Sequence, residues 1–253
     1  KLINAGIDPI LSKHVAHLFC RDPISLFKEK LLIDDETELD HFENLQSTNW
    51  QSCRFKPPPL NSSIGWRVEF RTLEVQFSCF ENSIFVIFVI LLSRAIIKFS
   101  LNFIVPISNM EENMNRAIIR DAINISKFYF RKNVKSPSKT YSIHNGMTQD
   151  HAIIDQMSID EIFTGKKNHF IGLIPLVEEY VSSLDLDHDT LDCINQCLRF
   201  IEDRAKNRIM TPATWMRHFI RNHPKYQFDS LVSDEIIYDL TCRIKNISEG
   251  KIR

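Results

Sequence analysis

The chain has 253 residues, 43% of them hydrophobic and 25% charged, with a net charge of −1. That length gives one large domain or two small ones with a sizeable core, and the composition excludes a disordered chain. The near-neutral charge excludes a general attraction to nucleic acid or anionic lipid, so any phosphate binding must come from a local arrangement.

Six cysteines, Cys20, Cys53, Cys79, Cys193, Cys197 and Cys242, lie too far apart for a secreted disulfide scaffold. The first residues carry no secretory-leader pattern, and the expectation is a cytoplasmic protein with reduced thiols. The chain opens on Lys1 and not on Met, which points to a piece of something longer.

Residues 1 to 33 are mixed, and Asp22-Pro23 is a good helix start. Residues 34 to 43 form an acidic connection, and "FKPPPLNSS" at 55 to 63 stops any helix or central strand. A strand is predicted from about Gly65 to Phe77, rich in β-branched and aromatic residues. The apolar run at 83 to 105 reaches Arg94 after only about half of the roughly 20 residues a membrane span needs. It is therefore expected to be a core helix, with no membrane contact.

From about residue 80 the periodicity is helical. Met114, Ile118 and Ala122 repeat at i+4 through "EENMNRAIIRDAINISKFYFRK". Residues 134 to 151 lack periodicity and read as a flexible loop. Ser158 and Glu161 form a capping box, and Gly165 is the stop. Pro175 opens a further helix, and Leu191, Ile194, Leu198, Ile201 and Ala205 make one stripe. Thr211-Pro212 starts another helix that ends before Pro224, and a last one runs from about Ser233. The predicted organisation is a sheet segment at 1–80 followed by a helical region at 81–253.

Arg67, Glu69 and Arg71 sit at every second position of "GWRVEFR" and so share one strand face, with Val68, Phe70 and Trp66 on the other. Spacing alone allows two accounts: a solvated face of weak ion pairs, or a carboxylate on a divalent metal beside guanidiniums on a phosphate. Asn49, Trp50 and Arg54 line either a surface loop or a pocket for an amino acid or nucleotide. His14 and His17 at i, i+3, and Cys193 and Cys197 at i, i+4, lack the further ligands of a metal site. With six glycines and no Gly-rich phosphate loop, neither a P-loop kinase nor a Rossmann dehydrogenase is expected.

The stretch "HFENLQSTNWQSCRFKPPPLNSSIGWRVEFRTLEVQFSCFENS" resembles the eukaryotic glutamate–cysteine ligase (γ-glutamylcysteine synthetase) family, in its catalytic subunit. The likeness continues through "FYFRK", "MSIDEIFTGKKNHFIGLIP" and "MTPATWMRHFIRNHPKYQFDS", and "HVAHLFCRDP" also fits. The resemblance implies an α+β fold: part of a glutamine-synthetase-like antiparallel sheet funnel, followed by a mostly helical C-terminal part. It implies ATP- and magnesium-dependent joining of glutamate, through its γ-carboxylate, to cysteine, by way of γ-glutamyl phosphate. This is the first step of glutathione biosynthesis, and a modifier subunit is an implied partner.

The resemblance makes Glu69 a magnesium ligand and Arg71 a catalytic, nucleotide-binding arginine, with Arg67 beside it. It makes Arg54 a second catalytic arginine and places Arg54, Asn49 and Trp50 toward substrate. The family chain is longer, and its N-terminal half holds an acidic metal cluster that nothing here matches. Thr72 stands where the family usually reads Pro, and Cys79 where it reads an acidic residue. A cysteine implicated in the family falls at Asp192, not at Cys193. Two outcomes stay open: the C-terminal half of a ligase, inactive when isolated, or a non-catalytic binding or regulatory module.

Overall fold

The computed structural model describes residues 1–21, 27–34, 36–41, 53–56, 58, 62–71, 73–135 and 154–252. They divide into two compact units, Lys1–Glu74 and Val75–Arg253. The chain is α+β, with helices and two small antiparallel strand pairs among the described residues.

In the first unit, α1 (Pro9–Arg21) starts where Asp8 Oδ1 accepts from the Ile10 and Leu11 amides. Proline at the first helical position gives up an amide that has no partner there anyway. Strands β1 (Cys53–Lys56) and β2 (Arg67–Phe70) pair antiparallel, Arg54 opposite Glu69 and Lys56 opposite Arg67. β2 is much shorter than the predicted 65–77 strand. It ends at Phe70, and the described residues of the predicted 65–77 span beyond it carry no ladder. The apolar side chains expected to pack behind it are exposed instead: Trp66 at 55%, Val68 at 53% and Phe70 at 47%. Among the described residues this sheet has two strands, and none adds a third strand to bury that face.

The second unit holds the core. Helix α2 (Cys79–Lys98) begins at Ser78, whose hydroxyl accepts from the Glu81 amide. Ile84, Phe88 and Ala95 on α2 are buried, and the helix packs on α6 (Leu173–Val181) and α7 (His188–Ala205). It is apolar and long enough to cross a membrane by length and composition. One side of it nonetheless joins the core, while Val86, Ile90 and Ile97 stay exposed.

The predicted helix through residue 130 is interrupted. α3 (Ile107–Ala117) and the short α4 (Ala122–Ile125) are separated by Asp121 in the left-handed region, φ 59°. Residues Phe128–Arg131 then form β3, paired antiparallel with β4 (Ile154–Met157). The predicted i+4 stripe does not hold: the helix stops at Ala117, Ile118 is 84% exposed and Ala122 belongs to the next helix, while the Asn113 side chain donates to the Tyr129 carbonyl and accepts from the Tyr129 amide, tying α3 to β3.

The capping box is formed, with Ser158 and Glu161 exchanging bonds at the start of α5 (Ile159–Thr164). Between α5 and α6 the backbone doubles back. A Cβ on Gly165 would lie 2.6 Å from the Ile171 carbonyl oxygen, and one on Gly172 2.7 Å from the Gly165 nitrogen. Both have positive φ, so glycine is required on both counts. On α7 the predicted stripe buries Leu198, Ile201 and Ala205, while Leu191 at its start stays 37% exposed. α8 (Pro212–Arg221) and α9 (Asp234–Ser248) start at Thr211 and Ser233, each hydroxyl accepting a backbone amide. The predicted loop at 134–151 lies outside the described residues except Val134 and Lys135, as does the predicted helix start at Asp22-Pro23.

Candidate functional site

The β1–β2 pair sets the geometry. Antiparallel pairing puts directly opposite residues on the same face, so Lys56, Arg67 and Glu69 share one face. Glu69 is the most enclosed residue of β2. Its Oε1 accepts from Arg71 Nε at 2.6 Å, and its Oε2 lies 2.7 Å from Lys56 Nζ. The three side chains are 31%, 30% and 38% exposed. At that exposure each pair contributes at most about 1 kcal/mol.

The sequence-predicted residues divide accordingly. Glu69 and Arg71 are in direct contact, and Arg67 shares their face. Arg54 is placed by its backbone opposite Glu69, while its side chain lies outside the description. Asn49 and Trp50 lie outside the described residues. Lys56 was missed by sequence reasoning. Its only signal was a place two residues after Arg54, on the same side of a strand whose register the sequence does not give.

Magnesium takes oxygen ligands in near-octahedral array. No group of three or more His, Cys, Asp or Glu able to hold a metal occurs among the described residues, and both Glu69 oxygens are engaged by cations. The described residues therefore do not fit a complete magnesium site. What they do present is a carboxylate flanked by donors suited to anionic oxygen.

Two other polar clusters lie in the second unit. Lys166 Nζ donates to Asp155 Oδ2 at 3.1 Å and to the Gln156 carbonyl at 3.2 Å, and His169 Nδ1 is 3.5 Å from the same Asp155 oxygen. The Lys166 hydrogen bond holds the Asp155 carboxyl below the usual range, against the opposing effect of burial. This cluster ties β4 to the 165–172 turn, which borders an open cavity of about 490 Å³. Arg204 on α7, buried at 7% exposure, donates to the Met210 carbonyl and to Glu81 Oε1 at 3.2 Å. Burial lowers its pKa, and Glu81 works against that shift. On the same helix Cys193 is exposed and Cys197 buried; burial first, then Cys193, raises the Cys197 thiol.

Comparison with known proteins gives the family. The glutamate–cysteine ligase family model matches residues 1–247. The chain is 48% identical to the mouse glutamate–cysteine ligase catalytic subunit over 257 residues, covering 98% of this chain and 40% of that protein. It is 48% identical to the Dictyostelium discoideum glutamate–cysteine ligase, covering 100% of this chain and 39% of that protein. The Saccharomyces cerevisiae enzyme is 37% identical over 98% of this chain and 38% of its own length. The chain belongs to the glutamate–cysteine ligase family. It spans about two fifths of the length of these relatives.

Proposed function

We propose that the chain is the C-terminal part of a cytoplasmic ligase that joins glutamate to cysteine at the expense of ATP. The observation that supports this most is the Lys56–Glu69–Arg71 cluster, set inside a sequence that matches the ligase family over residues 1–247. In this reading the β1–β2 pair is one wall of the antiparallel funnel. The γ-carboxylate of glutamate attacks the γ-phosphorus of ATP and ADP leaves. The cysteine amine then attacks the acyl carbon of γ-glutamyl phosphate, phosphate leaves, and the amine loses a proton.

Phosphoryl transfer of this kind is helped mainly by positioning and by fixed positive charge. Arg71 points its fork at the transferred phosphoryl oxygens, with Arg67 beside it. Arg54, with Asn49 and Trp50 on the preceding segment, orients the amino-acid substrates. Glu69 is proposed as one ligand of magnesium, whose other carboxylates lie outside this chain. A modifier subunit is the proposed protein partner. That name pairs naturally with the "catalytic subunit" of the mouse relative.

The lone carboxylate of the described face favours a further point: the isolated 253 residues are inactive, and act at most as a binding module. Purified chain mixed with ATP, magnesium, glutamate and cysteine is expected to form no γ-glutamylcysteine by mass spectrometry. Formation of the dipeptide dependent on both ATP and magnesium would contradict this.

A further inference from the structure

We propose that the solvent-facing seam of α2 is a packing surface for one helix of the remaining portion of the ligase, an amphipathic helix that brings an apolar stripe and one carboxylate to Arg94. The inference rests on the reading of this chain as the C-terminal part of a longer ligase. Ser83, Val86, Ile90, Arg94 and Ile97 follow one another at steps of 3, 4, 4 and 3 residues. At 3.6 residues per turn they fall within an arc of about 80°, over a length of about 21 Å. Ile84, Phe88 and Ala95 are buried on the other side, where α2 meets α6 and α7. The seam is open: Val86 is 52% exposed, Ile90 54% and Ile97 73%. Ser83 and Ser93 donate their hydroxyls to the Cys79 and Val89 carbonyls one turn back, so these donors are already engaged within the helix. A helix as apolar as α2 belongs inside a protein. Its exposed residues have the spacing of a helix-packing ridge.

Arg94 identifies the chemistry of what covers the seam. Its guanidinium is exposed, lies between Ile90 and Ile97 along the helix, and has no hydrogen-bond or ion-pair partner among the described residues. Covering the seam takes that charge out of water, and a buried charge is kept only when paired. The occupant therefore carries a carboxylate at that level. A second copy of α2 does not supply one. Glu81 is the only acidic residue of α2, and it is bound to Arg204 inside the second unit. Antiparallel copies crossing at Ile90 would set Arg94 against Val86, and parallel copies would set Arg94 against Arg94. Lipid fits no better. The far side of α2 is packed on two helices, and a helix lying on a bilayer keeps its cations on the polar face, not within the apolar one. The matched region is 40% of the mouse relative and 39% of the Dictyostelium one, so most of each lies outside it and is available to provide the helix.

The test is maleimide labelling of Ile90→Cys, read at that position by peptide mass spectrometry in two settings. One is the 253-residue chain. The other is a chimera in which this chain replaces the matched two fifths of the mouse catalytic subunit. Far-UV circular dichroism checks that the variants stay folded. The thiol at position 90 is expected to react about tenfold or more slowly in the chimera than in the chain alone, because there it is reached only by local opening. Adding Arg94→Glu to the chimera should bring the rate back toward that of the chain alone, by setting two carboxylates together. Arg94→Lys should keep the protection. Equal rates in chain and chimera overturn the inference; if that chimera still makes γ-glutamylcysteine the ligase reading stands, and if it does not, both fall. Protection that Arg94→Glu leaves unchanged overturns the carboxylate partner and the inference with it. Protection in the chain alone that grows with its concentration would assign the seam to a second copy. Protection of the chain alone by phosphatidylcholine–phosphatidylserine vesicles would assign it to lipid. Either result overturns the inference.

Discussion

Arg204 is 7% exposed, and its partner Glu81 has a side chain only 15% exposed. Both Arg204 Nε and Glu81 Oε2 lack a hydrogen-bond partner among the described residues. The Arg204 guanidinium also donates to Gln76 Oε1 at 3.4 Å and lies over the Phe200 ring. It thereby ties the start of α2 to the end of α7. Removing one member strands the other charge in a dry place, at a cost of about 3–5 kcal/mol. Arg204→Met is expected to lose that much in urea unfolding, and Arg204→Met with Glu81→Gln to recover part of it. Asp155 acts in the opposite range of size. Its carboxyl is held below the ordinary value, so its contribution is complete above about pH 4 and is lost as pH falls through the lowered value. Asp155→Asn should therefore be less stable than the natural chain at pH 7, and the difference should shrink toward pH 3. Urea midpoints at the two pH values check this. Because Asp155 is 31% exposed, the difference at pH 7 is expected to be about 1 kcal/mol or less.

At the scale of elements, the legible parts were those fixed by local chemistry. Ser158 with Glu161, Thr211 with Pro212, and Ser233 announced their helix starts because a side-chain oxygen three residues ahead of a backbone amide is a local fact. The β3–β4 pair was not legible. Phe128 and Met157 pair across a long intervening segment, and no short-range pattern encodes that meeting. The length of β2 was overestimated for a related reason. Leu73 and Val75 have strand-like side chains, but a strand needs a partner, and β1 pairs only through Phe70. The 165–172 turn makes an element-scale prediction. Gly165→Ala places a methyl 2.6 Å from the Ile171 carbonyl at a φ of 108°. It should cost at least about 1–3 kcal/mol, read as a lowered urea midpoint. Asn168→Gly, where φ is already 62°, should cost little.

For the molecule as a whole, family and site were legible at different depths. Long motifs in order carried the family, and the match across residues 1–247 agrees with them. The contact between Glu69 and Arg71 followed from a strand period of two, whereas Lys56 needed the register of a second strand. The solvent-facing Trp66, Val68 and Phe70 were beyond sequence reasoning, because exposure depends on what packs over a strand and not on its own side-chain pattern. The most direct measurement of the central claim uses a full-length relative. The matched two fifths of the mouse catalytic subunit are replaced by this chain, and γ-glutamylcysteine formation is followed against ATP and magnesium concentration. The chimera is expected to be active. Arg71→Ala in it should lower kcat about 100-fold or more, the usual size for one lost donor to a transferring group. Glu69→Gln should lower kcat and raise the magnesium requirement. An active chimera whose turnover and magnesium dependence are unchanged by both substitutions would contradict the account.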